Sequence, residues 1–133
     1  MSTNTKTAFI DITSDVERIV DASGIKSGFC LIHVPHTTAA VTINEKADPD
    51  VAIDIDNFLN IIVPADDNFR HIEGNSAAHI KSSLLGCGQT LIIEAGRILL
   101  GRWQAVFFCE FDGPRQRRVV VKMIGDSSCL CND

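Results

Sequence analysis

The length, composition and charge of the chain describe one soluble domain. Its 133 residues allow a single buried core but are too few for two domains, so we expect one domain over 1–133. An apolar fraction of 45% and a charged fraction of 22% are ordinary for a globular protein. The formal net charge of −5 argues against a general binder of nucleic acid or of anionic membranes.

The termini and the cysteines favour a cytoplasmic protein. Residues 1–7 lack the basic start and apolar run of a signal peptide, and no stretch approaches the roughly 20 apolar residues of a membrane span. Five cysteines, an odd number, favour free thiols in a reducing compartment. Cys129 and Cys131 stand apart in residues 126–133, which we interpret as a flexible tail with incidental cysteines. A metal-binding or redox-active thiol pair is the alternative.

The first third of the chain predicts a strand, a helix and two more strands. Residues 5–13 alternate loosely between apolar and hydroxyl side chains, which is typical of a strand. Ser14 and Glu17 form a capping box and Gly24 supplies a stop, so we expect a short helix between them. Residues 29–34 and 36–45 predict strands on either side of Pro35. If the second is regular, it has one small polar face suited to a cavity wall: His36, Thr38, Ala40, Thr42 and Asn44.

The remaining two thirds predict two helices followed by strands. Asp48–Pro49 places an acceptor at the N-cap and proline at the first helical position. The apolar stripe of that helix is Val51, Ile55, Phe58, Leu59 and Ile62. Asn75 or Ser76 caps a third helix that ends at Gly86. Residues 89–94 and 97–100 predict a hairpin, 103–111 the longest strand and 117–124 a returning strand.

This order of elements differs from the regular alternation of a parallel α/β fold. It predicts a mainly β chain with short helices, built as a mostly antiparallel, jelly-roll-like β-sandwich with helices on its rim.

The histidines are the first candidates for chemistry. His36 heads a polar strand face, His71 leaves a loop and His79 lies in the first turn of the third helix. Three imidazoles from three elements can hold Zn²⁺ and leave one position open. No tight motif is present, so hydrogen-bonded histidines without metal are an equal alternative. His33 is three strand residues from His36, which predicts opposite faces and a structural or surface role.

Carboxylates and arginines complete the candidate groups. Glu45, Glu73 and Glu110 adjoin polar clusters and suit general acid or base work, although an edge charge is an equal explanation for Glu110. We expect Asp50, Asp54 and Asp56 to form a solvated helix face. Arginines on the turn at 113–118 suit two-point binding of phosphate or carboxylate, with a solvated basic hairpin as the alternative. These arginines are Arg115, Arg117 and Arg118.

Many of these features, taken together, resemble the YjbQ-like family, whose members are often labelled secondary thiamine-phosphate synthases. The similarity runs from about residue 9 to residue 125. The motifs that carry it are His36-Thr-Thr-Ala-Ala, Thr42-Ile-Asn-Glu45, Asp48-Pro49, the stretch from His71 to Lys81, Gly86, Gly96-Arg-Ile-Leu-Leu-Gly101, Trp103-Gln104 and Arg117-Arg118.

The resemblance implies a β-sandwich subunit in a homotrimer and a divalent metal, zinc, on histidines matching His36, His71 and His79. It also implies a weak thiamine-phosphate synthase activity, which joins a pyrimidine pyrophosphate to a thiazole phosphate and releases pyrophosphate. Family membership alone does not fix the physiological reaction.

Two hypotheses follow from the residues and the resemblance. The first is a small metal-assisted enzyme acting on a phosphorylated metabolite, in which Glu45 or Glu110 moves the proton. The second is a non-catalytic trimeric module that binds a metal or a phosphorylated metabolite. The ligand-binding residues that we predict are Thr38, Asn44, Asn75, Gln104, Arg115 and Arg118.

Overall fold

The computed structural model describes residues 1–65 and 68–126 of the chain. In chain order its elements are β1 (Ala8–Asp11), α1 (Thr13–Ser23), β2 (Ser27–His33), β3 (Ala39–Glu45), α2 (Pro49–Ile62), α3 (Ser76–Leu85), β4 (Gly88–Glu94), β5 (Arg97–Ile98), β6 (Gln104–Glu110) and β7 (Val120–Gly125). The expected cysteine tail with Cys129 and Cys131 lies outside the described residues.

Two antiparallel sheets form the scaffold, as the sequence predicted. One sheet has the strand order β1-β6-β3 and the other β5-β4-β2-β7. The β4–β5 hairpin turns through Ala95 and Gly96, whose φ angles of 51° and 81° are those of the tight hairpin turn that Gly favours. The fold is therefore mainly β with three short helices.

The molecule has three layers separated by two apolar cores. The first core lies between the sheets and includes Ile32, Val41 and Phe108. The second lies between the three-stranded sheet and helices α2 and α3, and includes Leu59 and Phe107. Because both faces of β6 are covered, its residues 105–110 are all buried. Trp103, just before this strand, is 53% exposed.

Strand β3 begins later than predicted. Residues 36–38 are irregular, and the strand starts at Ala39. Helix α3 lies alongside this start, where Ser82 Oγ donates to the Ala39 carbonyl at 2.6 Å and Val41 N–H donates to the Gly86 carbonyl at 3.1 Å. The irregular segment before β3 is thereby held beside the first turns of α3.

The helix starts agree with the sequence to different degrees. Asp48 caps α2 as predicted, with its side chain accepting from the Asp50 N–H at 3.0 Å. Helix α1 instead begins at Thr13, because Asp11 accepts from the Thr13 N–H at 2.9 Å and takes the place of the predicted capping box.

Only part of the predicted apolar stripe of helix α2 faces the core. Leu59 is buried, but Phe58 is 60% exposed and Ile62 is 50% exposed. Together with Ile61, 74% exposed, they make an apolar surface without a partner in the described chain. Among the described residues, no helix has both the length and the apolar character needed to cross a membrane.

Candidate active site

A concave site lies where β2 ends, β3 begins and α3 starts. We call it the histidine cavity; its volume is about 560 Å³, within the range of small-molecule sites. The polar residues that line it are His33, His36, Thr37, Thr38, Glu73, Asn75, His79, Cys87, Asp112, Arg115 and Arg117. Of the predicted site residues it therefore brings together His36, Thr38, Asn75, His79 and Arg115.

His36 is fixed by the backbone of residues 113–118, which we call the arginine turn. Its Nε2 accepts a hydrogen bond from the Arg118 N–H at 2.8 Å, which leaves the proton of a neutral ring on Nδ1. Burial and the charge of Arg117 lower the pKa of His36 below its ordinary value. The Arg118 contribution is thus a backbone amide, and its exposed side chain is not part of the cavity wall.

Glu110 and Arg117 form a buried pair under the cavity floor. Arg117 Nε donates to Glu110 Oε2 at 2.8 Å, and its Nη2 reaches Oε1 and the Thr38 hydroxyl. Thr3 Oγ1 and the N–H groups of Phe111 and Asp112 complete the shell of the carboxylate. Burial raises the pKa of Glu110, but these hydrogen bonds and the Arg117 charge outweigh it, and the pKa lies below its ordinary value.

This placement changes the role expected of Glu110. Its side chain is 0% exposed, and five donors fill its two oxygens, so it has no free lone pair directed at a ligand. The geometry assigns it a positioning role: it holds Arg117, which in turn holds Thr38.

Asp112 links the helix start to the arginine turn. Its Oδ2 accepts from Asn75 Nδ2 at 3.0 Å and from Arg115 Nη2 at 2.7 Å. Burial raises the pKa of Asp112, but these hydrogen bonds and the charges of Arg115 and Arg117 leave it below its ordinary value. Asn75 stands at the N-cap of α3 without capping it: its Nδ2 donates to Asp112, and its buried Oδ1 has no hydrogen-bond partner among the described residues.

The turn before Arg115 depends on Gly113. A Cβ there would lie 2.1 Å from the Thr5 carbonyl oxygen, so only glycine fits beside that backbone. The Gly113–Pro114 peptide bond is cis.

His71 and His79 form a second imidazole cluster at the edge of the cavity. Their ring centroids are 5.3 Å apart and nearly perpendicular. Glu73 approaches His71, with its Oε2 3.6 Å from Nε2. His71 lines an adjoining groove with His79 rather than the histidine cavity; His79 lines both.

The predicted three-histidine zinc site fits these residues only in part. Two imidazoles on one tetrahedral zinc, with Zn–N about 2.1 Å, have ring centres roughly 5 Å apart, which matches His71 and His79. The acceptor nitrogen of His36 is already used by the Arg118 N–H. Within residues 1–65 and 68–126, no three His, Cys, Asp or Glu side chains come close enough to hold an ion.

Three other predicted residues lie at the opposite end of the three-stranded sheet. Glu45 pairs in register with Gln104, whereas Ala39 pairs with Glu110; six strand residues separate the ends by about 20 Å. Glu45 and Gln104 line a different pocket, and Asn44 is exposed and accepts the Glu45 N–H. None of the three contacts the histidine cavity.

Sequence reasoning missed His33 and Cys87 in the cavity wall. We expected His33 on the opposite face from His36, but β2 ends at His33 and strand alternation no longer applies beyond it. Val34 N–H donates to the Cys87 carbonyl at 2.8 Å, which brings Cys87, two residues after α3, against the end of β2. The sequence feature that could have indicated this contact is Gly86, which was predicted to end the third helix.

Comparison with known proteins places the chain in a family. A family model described as "UPF0047 protein YjbQ-like" matches residues 1–126. The chain belongs to this family. A UPF0047 protein of Methanocaldococcus jannaschii is 55% identical, over 95% of this chain and 91% of the relative. The UPF0047 protein YugU of Bacillus subtilis is 49% identical, over 94% of this chain and 96% of the relative.

Solved structures of UPF0047 relatives have the same fold. A YjbQ/UPF0047 protein of Clostridium acetobutylicum superposes with a TM-score of 0.92 at 51% identity, covering 93% of this chain and 96% of that one. A protein of Sulfolobus solfataricus, described as YbjQ-like and of unknown function, gives 0.91 at 36% identity, covering 95% and 93%. The resemblance inferred from the motifs is confirmed.

Proposed function

We propose that the histidine cavity binds a small phosphorylated metabolite and that the chain transfers a group on it. The observation that carries this proposal is the convergence of Arg115, Asn75, Thr38, His36 and His79 on one cavity of about 560 Å³. Guanidinium, amide, hydroxyl and neutral imidazole groups are the donors that phosphate oxygens accept.

Arg115 is the anchor for the phosphate in this proposal. Its Nε and Nη2 donate to Asp112, which fixes the plane of the guanidinium, while the side chain stays 52% exposed. A planar donor held in advance loses little rotamer freedom on binding an anion. The buried Glu110–Arg117 pair supports the same wall from beneath.

Proton transfer falls to the imidazoles rather than to the two carboxylates predicted for it. His79 lies at the border between cavity and groove, and imidazole is the side chain suited to acid–base work near neutral pH. Glu73 lines the cavity and approaches His71, so it suits the role of orienting that ring. Glu45 is at the far end of the sheet.

Zinc stays a prediction, and the residues best placed to hold it are His71 and His79. Their 5.3 Å centroid separation suits two ligands, and a nearby carboxylate is the usual partner of a metal-binding imidazole. When bound there, the ion would polarise a phosphate oxygen of the ligand. His36 joins the set only if it gives up the Arg118 N–H.

The reaction to test first is the one implied by the family resemblance. A pyrimidine pyrophosphate and a thiazole phosphate condense when the thiazole nitrogen forms a bond to the pyrimidine methylene carbon. The bond from that carbon to oxygen breaks, and pyrophosphate leaves with the electron pair. Donors around the cavity would stabilise the leaving oxygens.

A non-catalytic binding module is the second candidate. Two observations favour it: hydrogen bonds already fill both oxygens of Glu110, and Glu45 is far from the histidine cavity. Neither predicted proton carrier is therefore available in the cavity. The two candidates agree on the binding site and differ in turnover.

Titration calorimetry with pyrophosphate, followed by an assay for thiamine phosphate, separates the candidates. We expect Arg115→Ala to weaken pyrophosphate binding about tenfold, since it removes a charged hydrogen-bonding partner. Arg18→Ala is the matched control, because Arg18 forms the same i,i+3 pair with Asp15 away from the cavity. His79→Asn should abolish turnover while binding persists.

The outcomes are distinct. Saturable binding that Arg115→Ala weakens, with no product from any variant, supports the binding module. Binding that is equal in the Arg115→Ala and Arg18→Ala proteins contradicts the cavity as the phosphate site.

A homotrimer, expected from the resemblance, is part of the proposal. What supports it is the exposed stripe of Phe58, Ile61 and Ile62 on α2, since i, i+3 and i+4 positions lie side by side on a helix. Exposed apolar stripes of this kind mark association surfaces.

A further inference from the structure

The first three residues of the chain lie against the arginine turn. Ser2 and Gln116 form an antiparallel bridge, and Gln116 Nε2 donates to Ser2 Oγ at 2.8 Å. At the next residue, the Thr3 N–H donates to the Arg115 carbonyl at 2.9 Å. This N-terminal segment therefore runs along the turn as one strand of a sheet runs along another.

The Thr3 hydroxyl joins two groups of the site. Its oxygen accepts from the Arg115 N–H at 2.9 Å. A hydroxyl has one proton to donate. Glu110 Oε2 is 2.8 Å from Oγ1 and the Arg115 carbonyl is 3.2 Å from it, so the nearer, charged carboxylate takes the proton. Thr3 is 4% exposed and does not line the histidine cavity, so it can affect a ligand there only through its partners.

Arg115 is held at its backbone and at its side chain by different residues. Its backbone N–H and carbonyl both bond to Thr3, whereas Nε and Nη2 of its guanidinium bond to Asp112. Asp112 sets the plane of the guanidinium, and Thr3 sets the position of the backbone that carries it. Because a displacement of about 1 Å is enough to weaken a binding site, the Thr3 contact matters for the anchor.

The contacts of Gly113 show how closely the turn fits the N-terminal segment. A Cβ at this residue would lie 2.9 Å from Thr3 Oγ1 and 2.1 Å from the Thr5 carbonyl oxygen. The Gly113 N–H donates to the Lys6 carbonyl at 2.9 Å. The turn is therefore in direct contact with residues 3–6, and it has no room to shift toward them.

We propose that Thr3 is a positioning residue for the phosphate anchor and that its hydroxyl sets the affinity of the histidine cavity for phosphorylated ligands. This rests on the function proposed above, in which Arg115 binds the phosphate. Glu110 fixes the direction of the hydroxyl, the hydroxyl holds the Arg115 N–H, and Arg115 contacts the ligand. The buried pair of Glu110 and Arg117 thus acts on the ligand through Thr3 as well as through Thr38.

Titration calorimetry with pyrophosphate measures the effect of the hydroxyl. Thr3→Val removes it at nearly constant volume and should weaken binding about fivefold, which is the effect of one lost hydrogen bond. Thr3→Ser keeps the hydroxyl and both of its bonds, so it should bind within about twofold of the unaltered chain.

Thr13→Val is the matched control. The Thr13 hydroxyl is also buried and accepts a backbone N–H, that of Val106 at 2.9 Å, but Thr13 does not line the cavity. Urea unfolding should therefore show similar losses of stability in Thr3→Val and Thr13→Val, and only Thr3→Val should lose affinity for pyrophosphate. Equal losses of affinity in the two variants would overturn the proposal, because the effect would then follow stability alone.

A double-mutant cycle shows whether Thr3 acts through Arg115. Arg115→Ala removes the anchor but keeps the backbone groups that Thr3 binds. In that background Thr3→Val should change pyrophosphate affinity by less than about twofold. An equal loss in both backgrounds would overturn the proposal, because Thr3 would then act on the cavity by another route.

Hydrogen exchange of the Arg115 amide separates a failure of this inference from a failure of the proposed function. Exchange should be faster in Thr3→Val and unchanged in Thr3→Ser, with or without a ligand. If the unaltered chain does not bind pyrophosphate, the function proposed above is wrong and the link to phosphate affinity falls with it. Fast exchange in Thr3→Val would still support Thr3 as the residue that positions Arg115. Equal exchange in the unaltered, Thr3→Val and Thr3→Ser proteins would overturn that role.

Discussion

Arg117 binds both carboxylate oxygens of Glu110, and this buried pair is the point where the N-terminus, the arginine turn and the histidine cavity meet. Thr3 joins it through Oγ1 at 2.8 Å, and Thr38 joins it through Arg117 Nη2 at 2.9 Å. Breaking the pair therefore affects both the stability of the fold and the wall of the site.

Glu110→Gln should lower the free energy of unfolding by about 3 kcal/mol, because it leaves the buried Arg117 charge without its counter-ion. Asp15→Asn is the control: Asp15 forms an exposed pair with Arg18 and should change stability by less than about 1 kcal/mol. Urea unfolding measures both. A Glu110→Gln effect as small as that of the control would mean that the pair does not hold the fold.

The Glu110 carboxylate also makes the stability of the fold depend on pH. The pKa of Glu110 in the folded chain lies below the ordinary value of 4.5, so the unfolded chain takes up this proton first as the pH falls. The stabilisation is fully present above pH 4.5 and is lost as the pH falls through the folded pKa. Unfolding measured from pH 7 to pH 3 should show a weaker acid dependence in Glu110→Gln than in the unaltered chain. Equal slopes would contradict this assignment.

The sheets were predictable because their signals are local. An apolar, strand-like run at residues 29–34 predicted β2, and the Ala95–Gly96 turn predicted the β4–β5 hairpin. The N-cap and proline at 48–49 likewise fixed the start of α2. Each of these depends on residues a few positions apart in the chain.

The composition of the site was less predictable because it depends on pairing register. Glu45 and His36 are nine positions apart, yet β3 carries Glu45 to Gln104 at the opposite end of the sheet from Glu110. From the sequence, Glu110 was interpreted as a polar residue at the end of a strand. Only the fold places Arg117 and Thr3 against it. We excluded His33 from the site because we assumed that strand alternation continues from His33 to His36, but β2 ends at His33.

The His36–Arg118 hydrogen bond makes a prediction for NMR. Since burial and Arg117 lower the pKa of His36, its imidazole should titrate below the ordinary 6.5. The unfolded chain then binds this proton first, so the contribution of His36 to stability declines as the pH falls from 6.5 through its folded pKa. Protonation of Nε2 breaks the bond to the Arg118 N–H, so the amide resonance of Arg118 should shift with the same midpoint. An Arg118 amide that is insensitive to pH would contradict the bond.

A zinc titration distinguishes a site with two ligands, His71 and His79, from the predicted three-histidine site that also includes His36. Protein purified without an affinity tag should bind zinc through His71 and His79, with their ring resonances shifting while the Arg118 amide stays in place. His79→Ala should abolish binding and His36→Gln should leave it within about twofold, since removal of a true ligand lowers metal affinity far more. Loss of binding in His36→Gln, with a shifted Arg118 amide, would restore the three-histidine site.

The oligomeric state tests the exposed stripe of α2. We expect light scattering to give a mass of three chains. Phe58→Lys should shift the chain toward monomer, because a charge replaces an apolar group of the stripe. Phe29→Lys is the matched control, since Phe29 is an exposed phenylalanine, 48% accessible, on the outer face of the four-stranded sheet, where it pairs with Ile92 and Ile124. That variant should remain a trimer. A monomer from Phe29→Lys and a trimer from Phe58→Lys would move the interface to the sheet, and a monomeric unaltered chain would remove it.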